Sequence, residues 1–228
     1  MIETSDFKAI QTEYNRLYAS EGIRDEDRAY VWHAGQLLKA KPGCKRVLDV
    51  ACGAGYFLRE LDRASAGHVA GTGIDISDTA LTLAKKECPR GEFLHGIAEK
   101  LPFEDGVFDA VTCLGSLEHF LNIPAAVGEM IRVTKPDGIF YILVPNIFWY
   151  KDLFSVLLTG ERVSRNQTQE RFASWGEWKR TLEDAGLKVR RTNKYNGIAK
   201  RAIKQRIKDA VIPLRFSYHL IFLCEKGA

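Results

Sequence analysis

Residues 47–55 read Val47-Leu48-Asp49-Val50-Ala51-Cys52-Gly53-Ala54-Gly55, a short apolar run that ends in two glycines one residue apart. A run of this kind reads as a strand, and small residues straight after it let the backbone turn sharply and approach a ligand closely. A helical pattern from Tyr56 to about Ala66 follows at once, so the unit is strand, turn, helix. A complete dinucleotide fingerprint would place a third glycine three residues beyond Gly55. Leu58 stands there instead, which argues against a nicotinamide cofactor.

The same alternation continues outward from this turn. His68 to Ile76 reads as a strand, and Ser77 caps a helix that runs to about Glu87. A short strand at Glu92 to Gly96, a strand at Val107 to Leu114, a helix from about Pro124 to Val133 and an apolar strand at Ile139 to Val144 complete the series. Strands separated by helices or crossovers predict an α/β fold. Its expected form is a doubly wound, mostly parallel, seven-stranded Rossmann-like sheet with helices on both faces. Upstream, Phe7, Ile10, Tyr14 and Leu17 mark one amphipathic helix, and Tyr30, Val31, Ala34, Leu37 and Leu38 a second. Downstream, Ser174 to Ala185 predicts a helix ended by Gly186. Leu187 to Tyr195 and Phe216 to Cys224 predict the last two strands, around a basic helical excursion at Ile198 to Ala210. The chain divides into an N-terminal helical cap (1–42), a core (45–146), an aromatic-rich insertion over the carboxyl edge of the sheet (147–173) and a C-terminal helix with two strands (174–228), all in a single domain.

A chain of 228 residues with 46% hydrophobic content can bury one substantial core. It contains no apolar run near the roughly 18 residues that a membrane span needs, and no charged-then-apolar leader. The five cysteines, Cys44, Cys52, Cys88, Cys113 and Cys224, are odd in number and scattered, with no metal-ligand spacing. They read as reduced thiols in a cytoplasmic protein, with no metal site. The formal charge of +4 is uneven: residues 160–228 carry 16 Lys/Arg against 7 Asp/Glu, leaving 17 against 22 for the rest. A nucleic-acid surface would interleave aromatics with the cations, but Tyr195 is the only aromatic between Lys188 and Lys208, which disfavours that partner. Asp75, in Gly73-Ile74-Asp75-Ile76-Ser77, closes the second strand beside the glycine turn, where a carboxylate can accept hydrogen bonds from ribose hydroxyls.

Five ordered segments, VLDVACGAG, GIDIS, GIAEKLPFEDGVFDAV, SLEHF and EMIRVTKPDGIFYILVPN, together resemble the class I methyltransferases that use S-adenosylmethionine (SAM), over roughly residues 45–146. The resemblance implies that Asp49, Ala51, Gly53 and Gly55 surround the amino-acid part of SAM. It places Asp75 at the ribose, Ile76, Ala98 and Glu99 at the adenine, and Leu114 to Ser116 at the base of the methionine portion, with S-adenosylhomocysteine as product. Two positions depart from the pattern: Ala51 replaces a usual glycine, and Ile97 stands where many members carry an adenine-binding aspartate. Asp109 reads as structural, orienting backbone at the start of its strand.

Methyl transfer from a sulfonium is an in-line displacement, so the protein must chiefly align donor and acceptor and exclude water. Where the acceptor must lose a proton, His119 is the candidate base, with Glu118 beside it. Tyr14, Asn146, Phe148, Trp149 and Tyr150 are the expected acceptor or lid contacts. Arg162, Arg165 and Arg171 would suit an anionic acceptor. The expected activity is transfer to an O or N atom of a small molecule. Alternatives are an RNA or protein methyltransferase, or a SAM-binding partner protein without activity. The oligomeric state is not readable from these patterns.

Overall fold

The computed structural model describes residues 4–20, 27–161, 171–197, 207 and 210–227. Two helices, α1 (Thr4–Ser20) and α2 (Asp27–Ala40), precede an alternating core: β1 (Arg46–Val50), α3 (Tyr56–Ala64), β2 (Ala70–Asp75), α4 (Asp78–Glu87), β3 (Glu92–His95), β4 (Phe108–Leu114), α5 (Ile123–Val133) and β5 (Thr134–Pro145). Then come α6 (Tyr150–Thr159), α7 (Trp175–Asp184), β6 (Leu187–Tyr195) and β7 (His219–Lys226). The strands form one sheet in the order β3-β2-β1-β4-β5-β7-β6, in which β1 to β5 are parallel and β7 is antiparallel to both its neighbours. The order reverses between β1 and β4, and in a doubly wound sheet such a switch point opens a crevice at the carboxyl ends of the strands.

Alternation along each strand feeds two cores, one per face. Leu48, Val50, Val111, Phe140 and Ile142 pack with Val127 and Met130 of α5 and Trp178 and Leu182 of α7. Val47, Ala110, Tyr141 and Leu143 pack with Ala34 and Leu37 of α2 and Phe57, Leu58 and Leu61 of α3. His33, buried with its neighbours on α2, shares a 2.8 Å hydrogen bond between Nδ1 and the Tyr141 hydroxyl, while Val31 of the expected stripe faces solvent. Asp109 orients backbone as its position suggested: Oδ2 accepts from the Lys45 and Arg46 amides at 2.9 and 2.8 Å, and Oδ1 from Lys135 Nζ at 2.7 Å.

Element ends differ from expectation for local reasons. β2 starts at Ala70 because Ala66 and Gly67, both at positive φ, fold the chain back so that His68 N donates to Ser65 O. α5 starts at Ile123 because the Asn122 side chain accepts from Ala125 N. Phe216 belongs to a single 3-10 turn after Pro213, so β7 begins at His219. The expected basic helix at 198–210 falls almost wholly outside the described residues.

Candidate functional site

The turn after β1 is built from three left-handed residues, Ala51, Gly53 and Gly55, at φ 57°, 53° and 73°. Alanine in this region costs roughly 1–2 kcal/mol relative to glycine, so Ala51 is a strained position at the turn itself. A Cβ on Gly55 would sit 3.0 Å from Ala84 Cβ and 3.1 Å from Phe93 Cζ, so this glycine lets α3 start against α4 and β3. A Cβ on Gly53 would lie 2.3 Å from the Tyr18 hydroxyl, so this second glycine makes room for a side chain of α1.

The Asp75 carboxylate locks the turn to β2. Its Oδ2 accepts from Gly53 N at 2.8 Å and its Oδ1 from Ser77 N at 2.8 Å, with the residue 7% exposed. Asp49, also buried, accepts from Thr112 Oγ1 at 2.6 Å, which ties β1 to β4 below the turn. Cys52 packs where a Cβ on Gly73 would come within 2.6 Å of its sulfur, and burial, with Asp75 and Asp49 nearby, pushes its thiol well above the ordinary range. It is a packing residue with little thiolate character.

α1 closes the crevice from above. Its polar side is anchored by Gln11, which donates to Asp78 Oδ2 at 3.1 Å and shares a 2.9 Å contact with His95 Nε2, and by Asn15, whose Oδ1 accepts from Ser77 Oγ at 2.7 Å and Thr79 N at 3.2 Å. With that side fixed on the start of α4, the stripe Phe7, Ile10, Tyr14 and Tyr18 faces the crevice. The result is a cavity with about 1190 Å³ of empty space, its open mouth included.

Every expected cofactor residue lines this cavity: Asp49, Ala51, Gly53, Asp75, Ile76, Ala98, Glu99, Leu114 and Ser116 all contribute, save Gly55, which shapes the turn from behind. Ile97 lines it too, as an apolar side chain at the place where the resemblance would put an aspartate. The Glu99 carboxylate accepts from Asn122 N at 3.2 Å, which holds the loop after β3 to the start of α5. That loop is clipped further by Arg132, which donates to the Leu101 and Phe103 carbonyls at 2.9 and 2.7 Å and pairs with Glu129. His119, on a 3-10 turn after β4, also lines the cavity; its ring meets Tyr14 edge-on at 6.3 Å, and its Nε2 lies 3.9 Å from Glu118 Oε1.

The expected acceptor contacts divide. Tyr14 lines the cavity, whereas Asn146, Phe148, Trp149 and Tyr150 do not. Asn146 leaves β5 toward β7, where its Nδ2 donates to the Arg215 and Ser217 carbonyls at 2.9 and 3.0 Å. Trp149 stacks on Tyr218 at 4.4 Å. The reason is topological: the crevice opens at β1, β2 and β4, and the chain beyond β5 turns away from it. Arg162 and Arg165 lie outside the described residues, and exposed Arg171 donates to Leu121 O at 3.3 Å. The sequence reading did not assign Tyr18, Tyr30, Tyr56, Phe120 and Leu121 to the site, although they supply much of its wall.

The charges in the wall are one-sided. Among the described lining residues Asp49, Asp75 and Glu99 are anionic and none is Lys or Arg.

Residues 48–142 match the family model described as a methyltransferase domain. The chain is 37% identical over 102 residues to a demethylmenaquinone methyltransferase of Chlorobaculum tepidum, an alignment that covers 45% of this chain and 41% of that protein. It is 29% identical over 226 residues to a demethylmenaquinone methyltransferase of Staphylococcus aureus, covering 89% of this chain and 92% of that one. The chain thus spans less than half the length of the first relative and most of the second. Among solved structures, a SAM-dependent methyltransferase from Aquifex aeolicus superposes with a TM-score of 0.61 at 19% identity, covering 98% of both chains. At that identity the likeness speaks for the fold.

Proposed function

We propose, from the match of residues 48–142 to a methyltransferase-domain family model, that the chain is a class I methyltransferase that binds SAM across the carboxyl ends of β1 and β2 and methylates a small, uncharged, ring-bearing acceptor beneath α1. The observation that carries this reading is the lining of the cavity: among the described residues it has three carboxylates, no Lys or Arg side chain and a wall of aromatic residues. SAM carries positive charge on its sulfonium and ammonium groups, and carboxylates without competing cations favour such a ligand. When bound, it supplies a methyl group already activated by the positive sulfur.

The chain's own residues then hold and align. The glycine turn and Asp49 would cradle the amino-acid portion, and the Asp75 carboxylate, at the end of β2 beside that turn, would face the ribose hydroxyls. Ile76, Ile97 and Ala98 would pack on the adenine, apolar contact replacing the missing aspartate. Leu114 and Ser116 would form the floor beneath the methionine portion. Phe7, Ile10, Tyr14 and Tyr18 would exclude water and position the acceptor. A hydroxyl acceptor would pass its proton to the His119 imidazole, and Glu118 at 3.9 Å would favour the cation so formed. The two relatives named for demethylmenaquinone support a ring acceptor of low polarity, and the absence of cations among the described lining residues favours a neutral acceptor over an anionic one.

Calorimetric titration with SAM, S-adenosylhomocysteine and NAD tests the reading. Binding of the first two and not the third is expected, followed by transfer of labelled methyl to ring hydroxyl acceptors. A folded sample that binds neither SAM nor its product would overturn it.

A further inference from the structure

α6 is oriented against the usual rule. Its one fully buried side chain is Asp152, while Phe154, Leu157 and Leu158 are 64%, 82% and 70% exposed. Residues 153–160 carry no charge, so the outward side of this helix offers water a continuous apolar surface. Lys151, Phe154 and Leu158 are spaced three and four apart and share one stripe, which puts an ammonium at the end of the apolar row.

A second segment lies alongside. The Asn146 clasp on Arg215 O and Ser217 O, with the Trp149–Tyr218 stack, holds the turn Leu214–Phe216 against the start of α6. There Phe216 is 41% exposed and Arg215 is exposed beside it. Register fixes the location: Pro145 pairs with His219, which pairs with Tyr195, so this surface lies at the carboxyl edge of the sheet, the same edge at which the cavity opens.

We propose that the face formed by Phe154, Leu157, Leu158 and Phe216, rimmed by Lys151 and Arg215, docks on the surface of an anionic lipid bilayer. The occupant is set by chemistry. Large uncharged side chains with cations at their border match an acyl region capped by negative headgroups, and a long Lys or Arg side chain reaches the headgroups while its stem stays apolar. The charge of the chain beyond residue 159 agrees, with 16 Lys/Arg against 7 Asp/Glu. Among the described residues no helix is long and apolar enough to cross a membrane, so this contact is peripheral. The inference does not depend on the reaction in the cavity.

The test is co-sedimentation of the full chain with vesicles of phosphatidylcholine alone and of phosphatidylcholine mixed with phosphatidylglycerol. Binding to the mixed vesicles, weakened by added salt, is expected. Leu157→Ser with Leu158→Ser should lower the partition constant by at least about tenfold, with an unchanged thermal melt because both positions are exposed. The proposal would be overturned by wild type that stays in solution with both vesicle types, by a double variant that binds as well as wild type, or by a self-associated chain that the double substitution makes monomeric without any vesicle binding. Should the variant melt early, the salt series on wild type decides. Binding that ignores both salt and headgroup charge also refutes an anionic docking surface.

Discussion

Replacing Asp75 by alanine separates the bracing role seen in the structure from the ribose-binding role proposed for the same carboxylate. Its oxygens accept from the Gly53 and Ser77 amides, each at 2.8 Å. Alanine leaves both N–H groups without that acceptor, and a buried unsatisfied donor costs about 1–3 kcal/mol. The cavity opens beside Gly53, so water can reach part of the gap, and we take the lower part of the range, roughly 2–3 kcal/mol in total. For a chain of this size about 1 kcal/mol moves the melting midpoint by roughly 2–4 °C, so a fall of about 4–12 °C is expected. Binding should suffer separately, because each charge-assisted bond to a ribose hydroxyl contributes about 1.5–3 kcal/mol, and affinity for SAM should drop by more than about tenfold. Differential scanning calorimetry reads the first effect, and titration well below the variant's midpoint reads the second. A midpoint within about 1 °C of wild type would refute the brace. Unchanged affinity in a destabilised variant would refute the ribose assignment.

Other consequences are equally direct. His119→Gln should leave SAM affinity unchanged and lower turnover on a hydroxyl acceptor by about 10²–10⁴-fold; full activity would leave the histidine a wall of the pocket. Gly53→Ala should weaken SAM binding, because its new Cβ would sit 2.3 Å from the Tyr18 hydroxyl. Adding Tyr18→Phe should recover part of the loss, since the next ring atom is 3.3 Å away. Additive effects in that double-mutant cycle would show that the two side chains do not meet. Burial pushes the Asp109 carboxyl up, but Lys135 and the Lys45 and Arg46 amides outweigh it and hold the group below the ordinary carboxylate range. Its ionised form therefore contributes stability that is fully present above the unfolded value of about pH 3.9 and vanishes as pH falls through the lower folded value. Asp109→Asn should be less stable than wild type at neutral pH and converge on it in acid, and a constant gap in urea melts across that range would contradict the linkage. All five cysteines are buried, so a thiol reagent should label them only on unfolding; fast native labelling of Cys52 would contradict its raised pKa.

The order of elements was legible because each rule involved is local. Val47 to Gly55 shows a strand meeting a turn, Ser77 shows a cap, and Pro136-Asp137-Gly138 shows a break. The parallel sheet follows from their alternation. Element ends were less legible because they depend on local caps and turns that no periodicity records: Asn122 caps α5 one residue early, and Phe216 falls in a 3-10 turn after Pro213. His33 was missed for the same kind of reason. Its polar ring breaks the apolar stripe of α2, and the Tyr141 hydroxyl of β5 together with the Tyr195 ring holds it in the core.

The site shows where periodicity stops being informative. The stripe Phe7, Ile10, Tyr14 marks an amphipathic helix in the sequence, but the pattern cannot say what the apolar side will cover. Gln11 and Asn15 decide that, by tying the polar side of α1 to Asp78, Ser77 and Thr79. Once they are fixed, the helix can rotate little, and Tyr14 and Tyr18 must face the glycine turn. The aromatics at 148–150 made the opposite impression, since three large rings after the fifth strand look like a binding wall. Asn146 instead ties the end of β5 to the turn before β7, where Trp149 packs on Tyr218 and Phe148 is exposed. In both places amide side chains determine which aromatic surface faces the cavity. Substituting Asn15 by leucine should therefore perturb the cavity more than removing any single ring at 148–150 does.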